Sequence, residues 1–292
     1  VMGGAKIGLV ELPLALMNPG DLLLLPDPGY PDYLSGVSLG RVTYETFPLT
    51  AENDFLPDLD AIPEETARRA KFIYINYPNN PTGAVATKAF YEKLVAWAKT
   101  YEVGVVSDLA YGALGYQGYE NPSFLSTPGA KDVGIEFYTF SKTFNMAGWR
   151  LAFAAGNDQM IEALNLIQDH LFVGIFPALQ EAGIAALFDP KSEEAVAQLN
   201  ATYDSRRDAF VQAASKIGWQ AFPSRGSFYA WMPVPEGYTS ESFADLLLEK
   251  VHVAVAPGKG FGPAGDAYVR IGLLVEPERL VEAVNRIANL HL

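Results

Sequence analysis

Several residues sit where their side chains invite chemistry. Lys142 follows the run Ile135–Phe140, mainly apolar apart from Glu136 and Thr139, and precedes an aromatic, glycine-containing stretch, a poor setting for a solvated ammonium. A lysine amine that is buried, or placed beside another cation, gives up its proton more easily and can form an imine with an aldehyde. The plain alternative is an exposed loop lysine. Arg270 stands alone as a charge in the apolar run Ala267–Leu274. A buried guanidinium without a partner is costly, so it calls for a carboxylate. A bound substrate could supply one in the two-pronged geometry that suits arginine, or an Asp or Glu of the chain could supply it as a structural ion pair. Gly4-Ala5-Lys6 opens a helical pattern whose first, unpaired N–H groups suit a phosphate. Asp108, Asn80 and Tyr111 are polar groups at the ends of apolar runs, where turn chemistry is the ordinary use for Asp and Asn.

Other motifs are set aside on physical grounds. Gly260-Phe-Gly262-Pro-Ala-Gly265 spells G-x-G-x-x-G, but a dinucleotide site needs a strand before it and a helix after it. Here a strand follows and Pro263 interrupts, so the segment reads as a turn. His170, His252 and His291 are scattered without ligand spacing, and no metal site is expected. Neither a nucleophile elbow nor a Walker phosphate loop occurs.

The elements that must carry these groups alternate. Leu22–Leu25, Phe72–Ile75, Val103–Val106, Ile135–Phe140 and Leu151–Ala155 read as short, mainly apolar strands. Thr87 reads as the cap of a helix with Phe90, Leu94, Val95, Trp97 and Ala98 on one face. Strands of this kind, separated by helices, predict a mainly parallel sheet covered on both sides, with ligands at the carboxyl ends of its strands. After about Gly156 the pattern changes. Asn157–Val173, Pro177–Phe188 and Ser192–Ile217 read as helices, followed by strands at Trp219–Phe222, Phe228–Met232, Val251–Ala256 and Tyr268–Leu274. A closing helix has Pro277 in its first turn between Glu276 and Glu278. The expected organisation is a large α/β domain over residues 1–195 and a smaller α+β domain over 196–292.

Four segments, taken in order, resemble the class I/II aminotransferases, the fold type I pyridoxal-phosphate enzymes. They are Asn80-Pro81-Thr82-Gly83, Ser107-Asp108-Leu109-Ala110-Tyr111, Thr139 through Arg150 with its Ser-Lys-x₅-Gly-x-Arg core, and Val269-Arg270-Ile271-Gly272. The resemblance covers the whole chain and places Val1 partway into the family's large domain, implying that an upstream segment is missing. It implies an amino transfer between an amino acid and a 2-oxo acid, with 2-oxoglutarate as the expected acceptor and pyridoxal 5'-phosphate as cofactor. Lys142 then becomes the Schiff-base lysine, and Asp108 the partner of the cofactor's pyridine nitrogen. Asn80 and Tyr111 become hydrogen-bond partners of its phenolic oxygen, and Tyr30 the aromatic on its ring face. Thr139, Ser141, Arg150 and the Gly4-Ala5-Lys6 turn become the phosphate site, and Arg270, with Asn80, the site of the substrate α-carboxylate. A homodimer with shared active sites is also implied. Ala5 and Leu109 depart from the family's frequent residues, and Ser107–Gly112 looks closest to the branch with diaminopimelate-type and alanine aminotransferases. A C–S β-lyase, a decarboxylase or a non-catalytic regulator domain on the same scaffold are the competing expectations.

The bulk properties narrow the partners. A net charge of −13 argues against nucleic acid or an anionic membrane. The absence of cysteine removes disulfides and thiolate chemistry. No apolar run approaches the ~18 residues of a membrane span, and no signal peptide is visible, so the expectation is a cytoplasmic protein.

Overall fold

Successive side chains of a strand point to opposite faces, so a continuously apolar strand needs a cover on each side. The computed structural model of the protein, which describes residues 1–290, builds those two covers. Leu22, Leu24, Ile73, Ile75 and Val105 belong to one apolar layer, and Leu23, Leu25, Phe72, Tyr74 and Val106 to the other. The chain runs α1 (Ala5–Leu16), β1 (Leu22–Asp27), α2 (Tyr33–Gly40), β2 (Thr43–Pro48), α3 (Glu64–Arg69), β3 (Ala70–Asn76), α4 (Lys88–Tyr101) and β4 (Gly104–Leu109). It continues through α5 (Ala130–Val133), β5 (Gly134–Thr139), α6 (Phe140–Thr143), β6 (Ala152–Gly156), α7 (Asp158–Phe172), α8 (Pro177–Phe188) and α9 (Ser192–Lys216). It ends with β7 (Tyr229–Pro233), α10 (Ser240–Val251), β8 (Ala256–Pro257), β9 (Tyr268–Gly272) and α11 (Pro277–Ala288).

The first six strands form one sheet in the order β2-β1-β3-β4-β5-β6, parallel except for β6, which runs against β5. Helices α1, α2 and α7 supply Leu9, Leu12, Tyr33, Val37 and Leu164 to one side, and α4 supplies Phe90, Leu94 and Ala98 to the other. Thr87 does cap α4, its Oγ1 accepting the Phe90 N–H at 3.1 Å, a contact typically worth about 1 kcal/mol. The second sheet is antiparallel, β7-β9-β8, and packs on α9, α10 and α11 through Phe210, Met232, Leu247, Val269, Leu280 and Val284.

The expected α/β sheet with a smaller α+β part is therefore the observed architecture, with local differences. Strand β2 is not apparent in the sequence pattern because it is an edge strand: of Thr43–Pro48 only Phe47 is buried, so the apolar signal is missing. Trp219–Phe222 is not a strand. Phe222 donates one backbone bond to Trp231, and Pro223 has no N–H with which to continue a ladder. Val251–Ala256 shrinks to Ala256–Pro257, because α10 extends to Val251 and His252 ends it in the left-handed region at φ 54°. His291 lies outside the described residues. Among the described residues no helix is long and apolar enough to cross a membrane.

Candidate active site

Strands β3, β4 and β5 end side by side, and their last residues set the floor of a cavity of about 510 Å³. Asn76 at the end of β3 links the three segments that matter. Its Nδ2 donates to the Asp108 carbonyl (2.7 Å) and its Oδ1 accepts the Asn80 N–H (2.8 Å). Asn79 closes the following turn by accepting from both the N–H and the hydroxyl of Thr82 (3.1 and 2.7 Å), so Asn79 is spent on structure while Asn80 faces the cavity.

Asp108 is buried at the end of β4. The Tyr33 hydroxyl donates to its Oδ2 at 2.9 Å, whereas its Oδ1 is buried with no hydrogen-bond partner. Burial pushes its carboxyl up to about 6, against the opposing pull of the Tyr33 hydroxyl and a backbone N–H from Ala110. A half-satisfied buried carboxylate facing a cavity is a site for a cationic donor.

Lys142 projects from the short α6 that directly follows β5. It is half-buried, with its Nζ 5.4 Å from the centre of the Phe228 ring. Its pKa is depressed, first by burial and then by Arg150, Arg270 and Lys6, all cations around the same cavity. Thr139 starts α6 by accepting the Ser141 N–H (3.2 Å), and its hydroxyl lies 3.0 Å from that of Ser141.

The chain start joins the site through β6. Met2 and Ala152 exchange backbone hydrogen bonds of 2.9 and 3.0 Å, which brings Gly4 beside Arg150. Gly4 has φ 110°, and a Cβ there would lie 2.2 Å from Arg150 Nη2, so only glycine allows this approach. Helix α1 starts at Ala5 without a side-chain cap and without an acidic residue in its first turn. Its free N–H groups, the Arg150 guanidinium and the two hydroxyls of Thr139 and Ser141 together make a site for a polyanion. Lys6 also lines the cavity, but its amine is paired with Asp32 at 2.6 Å and sits 5.6 Å over the Tyr30 ring. The Tyr30 phenol is pushed up to about 12, mainly by burial.

Arg270, on β9, is clamped rather than ion-paired. Its Nη1 donates to Asn80 Oδ1 at 2.7 Å, and its guanidinium lies between the rings of Tyr229 (4.1 Å) and Phe261 (4.5 Å). The ion pairs formed by arginines among the described residues involve Arg68, Arg69, Arg206, Arg207, Arg279 and Arg286, not Arg270. The structural ion pair that a lone arginine could have signified is thus not what is observed. Tyr111 is buried between Phe228 and Tyr229, and burial together with Tyr229 raises its phenol well above the ordinary value.

All the residues expected from the sequence to form a site line this one cavity, except Gly4, which acts through its contact with Arg150. Tyr33, Asn76, Tyr229 and Phe261 were not anticipated. Asn76, a polar residue closing an apolar strand, carried a readable signal. Tyr33 reaches Asp108 across 75 residues and carried none.

Residues 1–287 match the family described as aminotransferase class I and II. The chain is 56% identical over 292 residues to the L-glutamine–4-(methylsulfanyl)-2-oxobutanoate aminotransferase of Bacillus subtilis, covering all of this chain and 73% of that protein. It is 48% identical over 284 residues to the LL-diaminopimelate aminotransferase of Moorella thermoacetica, covering 97% of this chain and 72% of that one. Substrate-bound BacF of Bacillus subtilis superposes with a TM-score of 0.95 at 46% identity, over the whole of this chain and 74% of that structure. The chain belongs to the class I and II aminotransferases.

Proposed function

We propose that the cavity holds pyridoxal 5'-phosphate, attached through Lys142, and that the protein moves an amino group from an amino acid to a 2-oxo acid. The observation that carries this reading is the unpartnered, buried Oδ1 of Asp108, which suits a protonated ring nitrogen. The fit extends to the rest of the cavity. Arg150, Thr139, Ser141 and the start of α1 would hold the phosphate, Tyr30 would pack on the ring, and Asn80 and Tyr111 would hydrogen-bond to the phenolic oxygen.

When bound, this cofactor supplies an aldehyde for the amino group and a ring that accepts the electrons freed at the substrate's α-carbon. Asp108 keeps the ring nitrogen protonated, because its carboxylate is the only anion lining the cavity among the described residues and is stabilised in return. Lys142, shifted toward the neutral amine by burial and by its cationic neighbours, takes the α-proton onto Nζ and holds it for return. Arg270 fixes the α-carboxylate. Asn80 and the two aromatic faces keep its planar fork in position.

The acceptor belongs to this proposal as well. 2-Oxoglutarate is the first to test, beside 4-(methylsulfanyl)-2-oxobutanoate, the 2-oxo acid in the name of the Bacillus relative. A homodimer is part of the same reading, supported by the exposed apolar residues Phe172, Val173 and Phe176 at and after the end of α7. A division near residue 195 is supported by the separate core around Phe210 and Val284.

Arg270→Lys tests the assignment. Lysine keeps the charge and loses the fork. The expected result is retention of cofactor and a loss of about 2–5 kcal/mol in kcat/KM for amino acids, with a far smaller loss for an amine that lacks the α-carboxylate. Equal losses on both donors would make Arg270 a structural residue.

A further inference from the structure

The Gly260–Gly265 segment, which lacks the flanking elements of a dinucleotide site, has a different use in the structure. It forms two short turns, Gly258–Phe261 and Pro263–Ala267, between β8 and β9. The turns press together so closely that a Cβ on Gly258 would meet the Gly265 carbonyl oxygen at 2.0 Å. On one side the loop is tied to α10: Ser240 donates to Asp266 through both its N–H (3.2 Å) and its hydroxyl (2.7 Å). On the other side it crosses to the six-stranded sheet. The Ala264 N–H donates to Asp27 Oδ1 at 3.0 Å, and the Phe261 carbonyl accepts the Gly29 N–H at 2.7 Å. Gly262 has φ 131°, and a Cβ there would lie 2.2 Å from the same Asp27 oxygen, so the carboxylate and the loop backbone are in full contact.

Asp27 is buried at the end of β1 and lies outside the cavity lining. Its contact nevertheless reaches the site. Phe261 is the residue that the loop lays 4.5 Å from the Arg270 guanidinium, which also lies 4.1 Å from the Tyr229 ring. Take away the Asp27 anchor and, of the loop's hydrogen bonds to the large sheet, only the Gly29–Phe261 bond remains, beside the edge-on packing of Phe261 against Trp231. Phe261, still packed on Trp231, can then shift relative to the guanidinium, and Arg270 loses part of the aromatic contact that aims its fork.

We infer that Asp27 is a positioning residue for the substrate carboxylate: it holds the Gly258–Ala267 loop against the large sheet so that Phe261 backs Arg270. This rests on the reading of Arg270 as the α-carboxylate site. A positioning role predicts a defect centred on carboxylate recognition, because the loop turn that Asp27 anchors meets Arg270 through Phe261, whereas the phosphate residues Thr139, Ser141 and Arg150 lie on other elements and only Gly29, beside Tyr30, links the loop to the ring side. The cation–π faces of Tyr229 and Phe261 contribute by fixing a guanidinium whose charge is also needed by the ligand.

The test compares Asp27→Ala, Asp27→Asn and Gly262→Ala in the cofactor-loaded protein, each with an amino acid donor and with an amine lacking the α-carboxylate. Asp27→Ala is expected to raise KM for the amino acid about tenfold, with kcat and cofactor retention within about twofold of wild type and little change for the simple amine. An asparagine side chain retains an oxygen that can accept the Ala264 N–H, so Asp27→Asn should restore most of the KM. Gly262→Ala should reproduce the defect of Asp27→Ala, because its Cβ forces the loop off Asp27. Should Asp27→Ala fail to fold, Phe261→Leu carries the test, with the same selective rise in KM expected. An unchanged KM in Asp27→Ala, a defect of equal size in Asp27→Asn, or equal effects on both donors would overturn the inference. If those results come while Arg270→Lys still discriminates between the donors, only the role of Asp27 falls. If Arg270→Lys fails to discriminate, the carboxylate reading falls and this inference falls with it.

Discussion

Replacing Lys142 with alanine is expected to lower the rate of amino transfer by about 10⁴-fold, close to 5 kcal/mol of transition-state stabilisation. Two losses combine. On the proposed reading, the amine that would anchor the cofactor disappears, and so does the base that would take the α-proton. No other lysine among the described residues can substitute: Lys6, the only other one lining the cavity, has its amine in an ion pair with Asp32 and directed at the Tyr30 ring. Lys142→Arg should be about as damaging, since a guanidinium neither forms the imine nor gives up its proton near neutrality. The measurement is product formation from an amino acid and a 2-oxo acid at saturating cofactor. A Lys142→Ala variant with more than about a tenth of wild-type activity would exclude this residue as the proton carrier.

Asp108→Asn should cost about 10²–10³-fold in the chemical step while leaving the protein folded. An amide keeps the shape and can still accept from Tyr33, but it cannot hold a positive ring nitrogen. The same variant has a second signature, in stability. The carboxyl is raised from an ordinary value of 3.8 to about 6. Without a cationic partner, the folded protein therefore holds this proton more tightly than the unfolded chain does. The contribution to stability is fully present below pH 3.8 and is lost as pH rises through about 6. Across that window it amounts to about 3 kcal/mol. In cofactor-free protein, the unfolding free energy of wild type relative to Asp108→Asn should fall by about that amount between about pH 4 and pH 8. Cofactor binding should reverse the trend by supplying the missing cation. A difference that does not change with pH would mean that Asp108 does not carry the burial penalty assigned to it.

Much of this site could be read from the residues, and the reason is topological. A parallel sheet collects the carboxyl ends of its strands at one edge, so reading Phe72–Ile75, Val103–Val106 and Ile135–Phe140 as its strands put Asn80, Asp108, Thr139 and Lys142 on one side, and the observed adjacency of the three strands brings them together. Their alternation also places Asp108 and Thr139 on the face covered by α1, which is how the Gly4–Lys6 turn comes into range. The parts that could not be read depend on contacts remote in sequence or weak in pattern. Nothing in the sequence around Tyr33 marks it before the fold sets it against Asp108. Phe261 lies in a loop that matches a dinucleotide fingerprint only in its letters and reads as a plain turn, with nothing to show that it meets Arg270. Edge strand β2 exposes most of its side chains and so leaves no apolar alternation to detect. Trp219–Phe222 has strand-like composition, yet the proline at 223 and the bond from Trp219 Nε1 to the Pro233 carbonyl (2.7 Å) hold it outside the ladder.

Borohydride reduction of the cofactor-loaded protein, followed by proteolysis and peptide mapping, reads the point of covalent attachment directly. The expected result is a single modified peptide, spanning Thr139–Arg150, with the pyridoxyl group on Lys142. The group on Lys6, Lys99, Lys131 or any other lysine would contradict the assignment on which the proposed chemistry rests.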